Sequence, residues 1–451
     1  MNNTPRLYGD GVHDDTDALQ ALLDTRVGLV APPAPKAHYL ISRTLVVHSG
    51  QELRFDRWTR IVLAPRSNCL MLRNERQAGD PDRRVSLVGG IWDYNNLAQA
   101  PNHAMIGARP EHPEDAGKVY NCGPQCKRML LPADYPADPA FGRAMLRSEL
   151  GNVPYHPERY CGVVMRFVGV RDLRVQGITL KDPVTYGAQF ARVEDFAIDD
   201  VTFDYNKGNP SPDNMDGVHF DGYCRRGRIT NLFGTCYDDL LALNADDGYR
   251  ESPIMGPIED IVVDGIFSEG CHSAARILTT GSPIRNITIR NVHGSFYRYA
   301  VGFTHFFPER KVPGLFENIT LEDFHICRCP LPPEDFHFIG DMHGDKPLFW
   351  GLIWCEGSGG SIMRNLTLSR LHRVETYRTV PTIDIDPGFT LEGLSIRDCS
   401  MENHLPDSLP FMRCRGTVRD LSVDGLRLRS VPGAGPALEG LPAAPEPAAG
   451  G

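Results

Sequence analysis

From residue 170 onward the apolar positions fall into a short recurring phrase, in which an acidic or amide residue precedes a run that alternates apolar and polar side chains. The copies read VRDLRVQGITL at 170, VEDFAIDDVTF at 193, IEDIVVDGIFS at 258, IRNITIRNVHG at 284, FENITLEDFHI at 316, MRNLTLSRLHR at 363, LEGLSIRDCSM at 391 and VRDLSVDGLRL at 418, with a degenerate copy, GRITNLFGT, at Gly227. Their starts lie 23 to 47 residues apart, so the shortest interval is a minimal unit and the longer ones carry loop insertions. Period-two alternation rich in β-branched residues predicts strands rather than helices. Between the phrases lies a second apolar strand: YGAQFAR at 186, DGVHFDG at 216, DLLALNA at 239, AARILTT at 274, AVGFTHF at 300, LFWGLIW at 348 and PTIDIDP at 381. Each coil thus supplies at least two strands, and like stacks on like in parallel at about 4.8 Å per coil. The pattern predicts an all-β chain folded as a single parallel β-helix, a solenoid.

The Asp or Asn at the third position of most phrases, Asp172, Asp195, Asp260, Asn286, Asn318, Asn365 and Asp420, suits turns or stacked ladders. At the N-terminus, GDGVHDDTDALQALL places Asp14, Asp15 and Thr16 before the helical apolar set Leu19, Leu22 and Leu23, which predicts a capped helix covering the open end of the solenoid. The single domain is expected over residues 1–435. It carries a long irregular insertion at about 95–160, read as a wall or lid that favours attack at a chain end, and residues 436–451 read as a disordered, low-complexity tail.

Composition agrees and narrows the function. Forty-four glycines and 36 prolines, spread along 451 residues, fit many tight turns. The net charge of −10, with no basic run, argues against nucleic acid as a partner. No apolar run is long enough to span a membrane, and the N-terminus lacks a signal-peptide pattern, so the chain as given reads as cytoplasmic, or as secreted if a signal was trimmed. The 12 cysteines sit mostly singly and read as reduced, packed thiols. Cys122 and Cys126 of NCGPQC form the one close pair in a loop, and without further ligands nearby no metal or cofactor is expected.

Candidate chemistry gathers in YDDLLALNADDG, residues 237–248. Asp238 and Asp239 follow Asp216 by 22 and 23 residues, about one minimal coil, which puts three carboxylates on adjacent rungs within the range used by glycosidases. Mutual repulsion would raise at least one pKa toward that of a general acid. Asp239 shares the parity of Leu241 and Leu243 and Asp238 does not, so both face the same side only if the backbone bends at the strand's start. Asp246 and Asp247, between Asn244 and Gly248, read as turn residues.

NMDGVHF, followed one coil later by YDDLLALN, resembles the NTD and DD motifs of glycoside hydrolase family 28, the polygalacturonases and their relatives, and GDGVHDDTDALQ resembles the entry motif of the wider pectin-lyase-like superfamily. The resemblance covers residues 160–310 well and the rest only as generic coils. It implies a right-handed parallel β-helix that cleaves glycosidic bonds with inversion, with Asp238 as general acid and Asp239 and Asp216 holding the water. His272, in EGCHSAARIL, matches the family's Gly-His-Gly histidine with its flanking glycines altered, and the inserted YRESPIMGP, 249–257, accounts for the longer gap. The family's Arg-Ile-Lys motif is absent near AVGFTHF. Arg276-Ile277-Leu278 looks like it but stands on the histidine's rung without lysine. That lysine binds the substrate carboxylate in the family, so its absence points away from polygalacturonate, with Arg276, Arg298 and His305 as candidate replacements.

Further candidate substrate contacts are His219, outward by parity, Asn214 and Tyr237 beside the aspartates, Trp92 at a strand end before the long insertion, and Trp354 on the aspartates' strand series. The expected partner is a carbohydrate, and the chain is expected as a monomer or a homo-oligomer such as a trimer. Two rivals remain in view: a polysaccharide lyase acting on a uronate by β-elimination, and a non-catalytic carbohydrate-binding solenoid.

Overall fold

The computed structural model describes residues 6–99, 162–206, 208, 214–246, 254–305, 312–330, 350–430 and 438–440. The fold is the expected parallel β-helix. One strand shows how a coil is made: within Ala188–Asp204, residues 188–190 pair with Val218–Phe220, residues 197–199 with Arg228–Thr230, and residues 202–204 with Phe233–Thr235. The coil therefore contributes to three parallel sheets and bends twice between them.

The bends explain the recurring acidic or amide residue. Asp172, Asp195, Asp260, Asn286, Asn318, Asn365 and Asp420 all have φ between 54° and 63°. Asn and Asp tolerate this left-handed region better than other residues with a side chain. Several also stack as an amide ladder along the solenoid: Asn286 Nδ2 donates to Asp260 Oδ1 at 2.8 Å, Asn318 to Asn286 at 3.0 Å and Asn365 to Asn318 at 2.9 Å. The degenerate phrase at Gly227 has a steric cause. Gly227 pairs with Phe196, whose ring fills the corner, and a Cβ there would lie 1.9 Å from Phe196 Cζ.

The core is a set of inward columns running along the solenoid axis. On the first sheet, Ala188, Val218, Leu241, Ala275, Val301, Ile353, Ile383, Met412 and Leu438 stand in successive register. Phe167, Phe190 and Phe220 stack beneath them at 5.8 and 4.8 Å. Burial of such columns is the main source of stability in a solenoid, since each coil gains most from its two neighbours.

The helix Thr16–Asp24 buries Ala18, Leu19 and Leu23 at the N-terminal end and packs on the strand Leu45–Val47. Its cap differs from the expected one. Asp14 Oδ1 accepts from the Thr16 amide at 2.8 Å, whereas Asp15 at the cap position turns away and takes the amides of Tyr8 and Gly9 at 2.6 and 3.2 Å. The C-terminal boundary also moves: Leu438–Glu439 pairs in parallel with Met412–Arg413, so the stack continues past residue 435 into the segment expected as a tail. The 95–160 wall and the Cys122/Cys126 pair fall almost wholly outside the described residues. No helix among the described residues is long and apolar enough to cross a membrane.

Candidate active site

The three aspartates meet where the chain enters successive strands of the first sheet. Val218 pairs with Leu241 and Asp239 with Ser273, and the Gly217 amide donates to the Asp239 carbonyl at 3.0 Å. Asp216, Asp239 and Ser273 therefore occupy consecutive rungs. The bend that parity required is present, because Leu240 and Leu241 both enter the core although they are adjacent. With that bend, Asp238 and Asp239 both approach His272 and are 1% and 0% exposed. Asn214, at φ 53°, serves the turn that leads into Asp216. Tyr237 anchors the next turn through its amide, which donates to the Met215 carbonyl at 3.3 Å.

Asp239 is contacted from several sides. Arg276 Nε lies 2.8 Å from its Oδ2, an ion pair whose angle falls short of a hydrogen bond. Ser273 Oγ donates a short hydrogen bond to Oδ1, and the Tyr299 hydroxyl donates to the same oxygen at 3.3 Å. Asp238 has a different environment. Its Oδ1 has no hydrogen bond among the described residues and lies 3.4 Å from His272 Nδ1. Burial, then the charges of Asp239 and Asp216, push the Asp238 carboxyl well above the usual carboxylate range, against the pull of Arg276 and Arg298. One of two adjacent aspartates is thus biased toward its neutral form beside an ion-paired neighbour.

His272 joins the two. Arg298 Nη1 lies 3.0 Å from its Nε2, and a guanidinium can only donate, so Nε2 accepts and the ring proton sits on Nδ1. From there it faces Asp238 Oδ1 at 3.4 Å, Ser273 Oγ at 3.3 Å and Asp239 Oδ1 at 3.7 Å. Arg298 itself lies over the rings of Tyr299 and Trp350 at 5.3 and 4.8 Å, and Trp350 stacks on Trp354 at 4.8 Å. Trp354 donates its Nε1–H to Asp386 at 2.7 Å.

Asp216 is held from the other side. His219 Nδ1 lies 2.7 Å from Asp216 Oδ2, its Nε2 lies 3.5 Å from Asp221 Oδ1, and its ring stacks on Tyr186 at 4.1 Å. A buried chain continues upstream, with Gln189 donating to Asp221 at 2.7 Å and Arg166 to Gln189 at 2.6 Å. Burial opposes a charge on His219, yet the carboxylates of Asp221 and Asp216 outweigh it and raise the imidazole to about 10. Burial and the Asp239 charge raise Asp216 despite the His219 bond.

Two of the residues expected at the site lie elsewhere. Trp92 is fully buried in the core, packed edge-on against Phe55 at 5.8 Å with its Nε1–H on the Gly89 carbonyl at 3.2 Å. His305 follows Thr304, which pairs through Leu278 with Asn244, the far end of the strand that begins at Asp239. That is roughly 17 Å along the strand, and the His305 ring is bonded to the Val312 carbonyl at 2.8 Å. Asp246 is the turn residue it was read to be, its Oδ2 accepting from the amides of Thr280 and Ser282 at 3.2 and 2.6 Å. Asp247 lies outside the described residues. Ser273, Tyr299, Asp221 and Gln189 were missed. The first follows His272 directly and Asp221 shares the parity of His219, so both were within reach of the sequence, whereas Tyr299 and Gln189 required the rung-to-rung register.

Oxygens of Asp238 and Asp239 and a nitrogen of His272 lie within 4.8 Å of one another, a geometry that suits a divalent cation. Arg276 and Arg298 already place positive charge on Asp239 and His272, so a metal ion would have to compete with two guanidinium groups.

No protein-family model matches the sequence, and no curated protein matches it. Solved structures do match in shape. Family 28 exopolygalacturonase from Yersinia enterocolitica aligns with 97% of this chain and 77% of its own at 13% identity and a TM-score of 0.50. A hyperthermoactive exopolygalacturonase from Thermotoga maritima aligns with 92% of this chain and 89% of its own at 14% identity and a TM-score of 0.53. The tailspike protein of Escherichia coli bacteriophage HK620 aligns at 11% identity and a TM-score of 0.55, over 92% of this chain and 63% of its own. At these identities the chain shares with these proteins the parallel β-helix fold, a fold that carries both hydrolase and tailspike.

Proposed function

We propose that this chain is a glycoside hydrolase in which Asp238 protonates the leaving glycosidic oxygen while Asp239 and Asp216 hold and activate the attacking water. The observation that carries the reading is the asymmetry of the adjacent pair: Asp239 carries an ion pair with Arg276, and Asp238, with an oxygen lacking a hydrogen bond among the described residues, is pushed toward its acid form. Glycoside hydrolysis needs this division between a proton donor and a carboxylate. The Nδ1–H of His272 sits between the two and steadies the negative charge left when Asp238 gives up its proton. The family 28 exopolygalacturonases among the matching folds agree with this reading.

Polygalacturonate is not the substrate favoured here. Arg276 is spent on Asp239 and Arg298 is engaged with His272. Neither therefore offers the simple point charge that a uronate at the cleavage site calls for. A neutral sugar at the scissile bond fits better.

The stereochemistry turns on Asp216. Ligand oxygens of Asp238 and Asp239 within 4.8 Å of each other are closer than the roughly 6.5–9.5 Å typical of inverting pairs. Inversion thus relies on the water being seated against Asp216, one rung away. An NMR time course against neutral and uronic oligosaccharides tests this by following anomeric and vinyl protons together. A reducing end that appears first as the inverted anomer supports the roles given. A retained anomer would make Asp239 or Asp216 a nucleophile, and a vinyl signal would replace hydrolysis by elimination. Binding without turnover would leave a carbohydrate-binding solenoid.

A further inference from the structure

On the second sheet an outward column of charges runs along the solenoid from Arg171 to Arg419 with alternating sign. Arg171, Glu194, Arg225, Glu259, Arg285, Glu317, Arg364, Glu392 and Arg419 pair in that order from rung to rung. Many neighbours touch: Arg171 and Glu194 at 3.2 Å, Glu194 and Arg225 at 3.1 Å, Glu259 and Arg285 at 2.6 Å, Glu317 and Arg364 at 2.8 Å, Glu392 and Arg419 at 2.9 Å. Opposite charges directly across a rung are favourable and like charges are not.

The alternation breaks at its N-terminal end, where Arg83 pairs in register with Arg171. Arg84, beside it, takes a left-handed φ of 54° at the corner that Asp172 and Asp195 fill on the next two coils. Arg83 and Arg84 are exposed, and their guanidinium groups make no ion pair or hydrogen bond with the described residues. The carboxylates nearby are already engaged: Asp172 with Arg174 at 2.9 Å, Asp195 with Arg226 at 2.6 Å and Glu194 with Arg171, Arg225 and Arg226. Around this break lies a groove of about 600 Å³ lined by Arg83, Arg84, Arg171, Asp172, Arg174 and Asp195. A second groove, of about 440 Å³, shares Arg171 with it and is lined further by Pro81, Gly169, Arg192, Glu194 and Tyr223.

We propose that these two grooves, which meet at Arg171, bind an acidic glycan, whose carboxylate or sulfate groups supply the anions that the column lacks at this rung. A planar guanidinium pairs with such oxyanions through two parallel hydrogen bonds, and several in a row suit a chain that repeats its charge. Tyr223, half exposed, gives the second groove a ring face for a sugar. The site lies on a different sheet from Asp216, Asp238 and Asp239, and it does not depend on their chemistry. A heteropolymer with acidic substituents satisfies both an acidic secondary site and a neutral cleavage site.

The test reads binding without turnover. Isothermal titration of the full chain with an oligouronate, a sulfated dextran and a neutral dextran is expected to show salt-sensitive binding of one or both acidic polymers and none of the neutral one. The two acidic probes distinguish carboxylate from sulfate. Arg83→Glu is the informative variant, because it would complete the alternation opposite Arg171. It is expected to raise the Tm while weakening the acidic glycan at least tenfold, and Arg84→Gln to weaken it with the Tm unchanged. Equal binding by wild type and both variants, equal binding of neutral dextran, or no binding by the wild-type chain would overturn the proposal. A fall in Tm for Arg83→Glu would overturn the reading of the column.

Discussion

Arg298 donates to Nε2 of His272 across 3.0 Å, and this fixes the imidazole proton on Nδ1, facing Asp238. A long-range nitrogen–proton NMR spectrum of the wild-type chain should show His272 as the Nδ1–H tautomer. Arg298→Met frees Nε2 and lets the ring reorient, and turnover of any oligosaccharide found to be cleaved should fall about a hundredfold, as expected when a catalytic group is displaced by an ångström. A variant that keeps full activity while its tautomer changes would remove Arg298 from the site's machinery.

Asp238→Asn should abolish proton donation with little harm to the fold. Turnover is expected to drop by roughly 10²–10⁴, whereas the Tm should change little, because asparagine is nearly isosteric with the neutral carboxyl that burial favours at Asp238. The same raised carboxyl predicts that wild-type turnover survives above the ordinary carboxylic range and declines as Asp238 loses its proton. A kcat–pH profile that rises through neutral pH would contradict the acid role.

His219 links pH to stability with a definite sign. The folded imidazolium persists to about pH 10, while an unperturbed histidine titrates near 6.5. Its contribution is therefore full below about pH 6.5 and is lost as pH rises toward 10. Replacing it with glutamine leaves Asp216 and Asp221 buried without their cation, and breaking such a pair costs about 3–5 kcal/mol. The difference in unfolding free energy between wild type and His219→Gln should be largest near pH 6.5, where the carboxylates are charged and the imidazolium is intact, and shrink as pH approaches 10. A difference that grows over that range would mean that the ring is neutral in the folded protein.

At the corners, conformation and the amide ladder can be separated. Asn318 has φ 55° and both donates and accepts along the ladder. Asn318→Ala loses both advantages and should cost about 1–2 kcal/mol. Asn318→Gly keeps the backbone freedom and should cost less. Equal losses in thermal melts would assign the whole effect to the ladder.

Much of this architecture was legible because it is periodic. Alternation fixes which side chains point inward, and a minimal coil length fixes which phrase stacks on which, so the strands, the Asp and Asn turns and ladder and the proximity of Asp216 to the Asp238–Asp239 pair all follow from local patterns repeated along the chain. Where the period breaks, the sequence has less to say. The direction of Asp239 depended on a bend, and the bend is visible only in the burial of adjacent Leu240 and Leu241. Trp92 read as a rim residue because it precedes a long insertion, but the strand it belongs to packs it against Phe55.

The sequence by itself determined the fold, the place of the three aspartates along it and the chemistry that such a cluster suggests, because those depend on side-chain period and residue type. Tertiary structure decided how differently the three aspartates are surrounded, since that follows from burial and from the separate attachments of Arg276, Arg298 and His219. It also decided that Arg83 stands opposite Arg171, two residues far apart along the chain whose register no period could supply. Periodicity sets neighbours within a repeat, whereas charge environment depends on atoms brought together from different coils, and only the folded chain sets those distances.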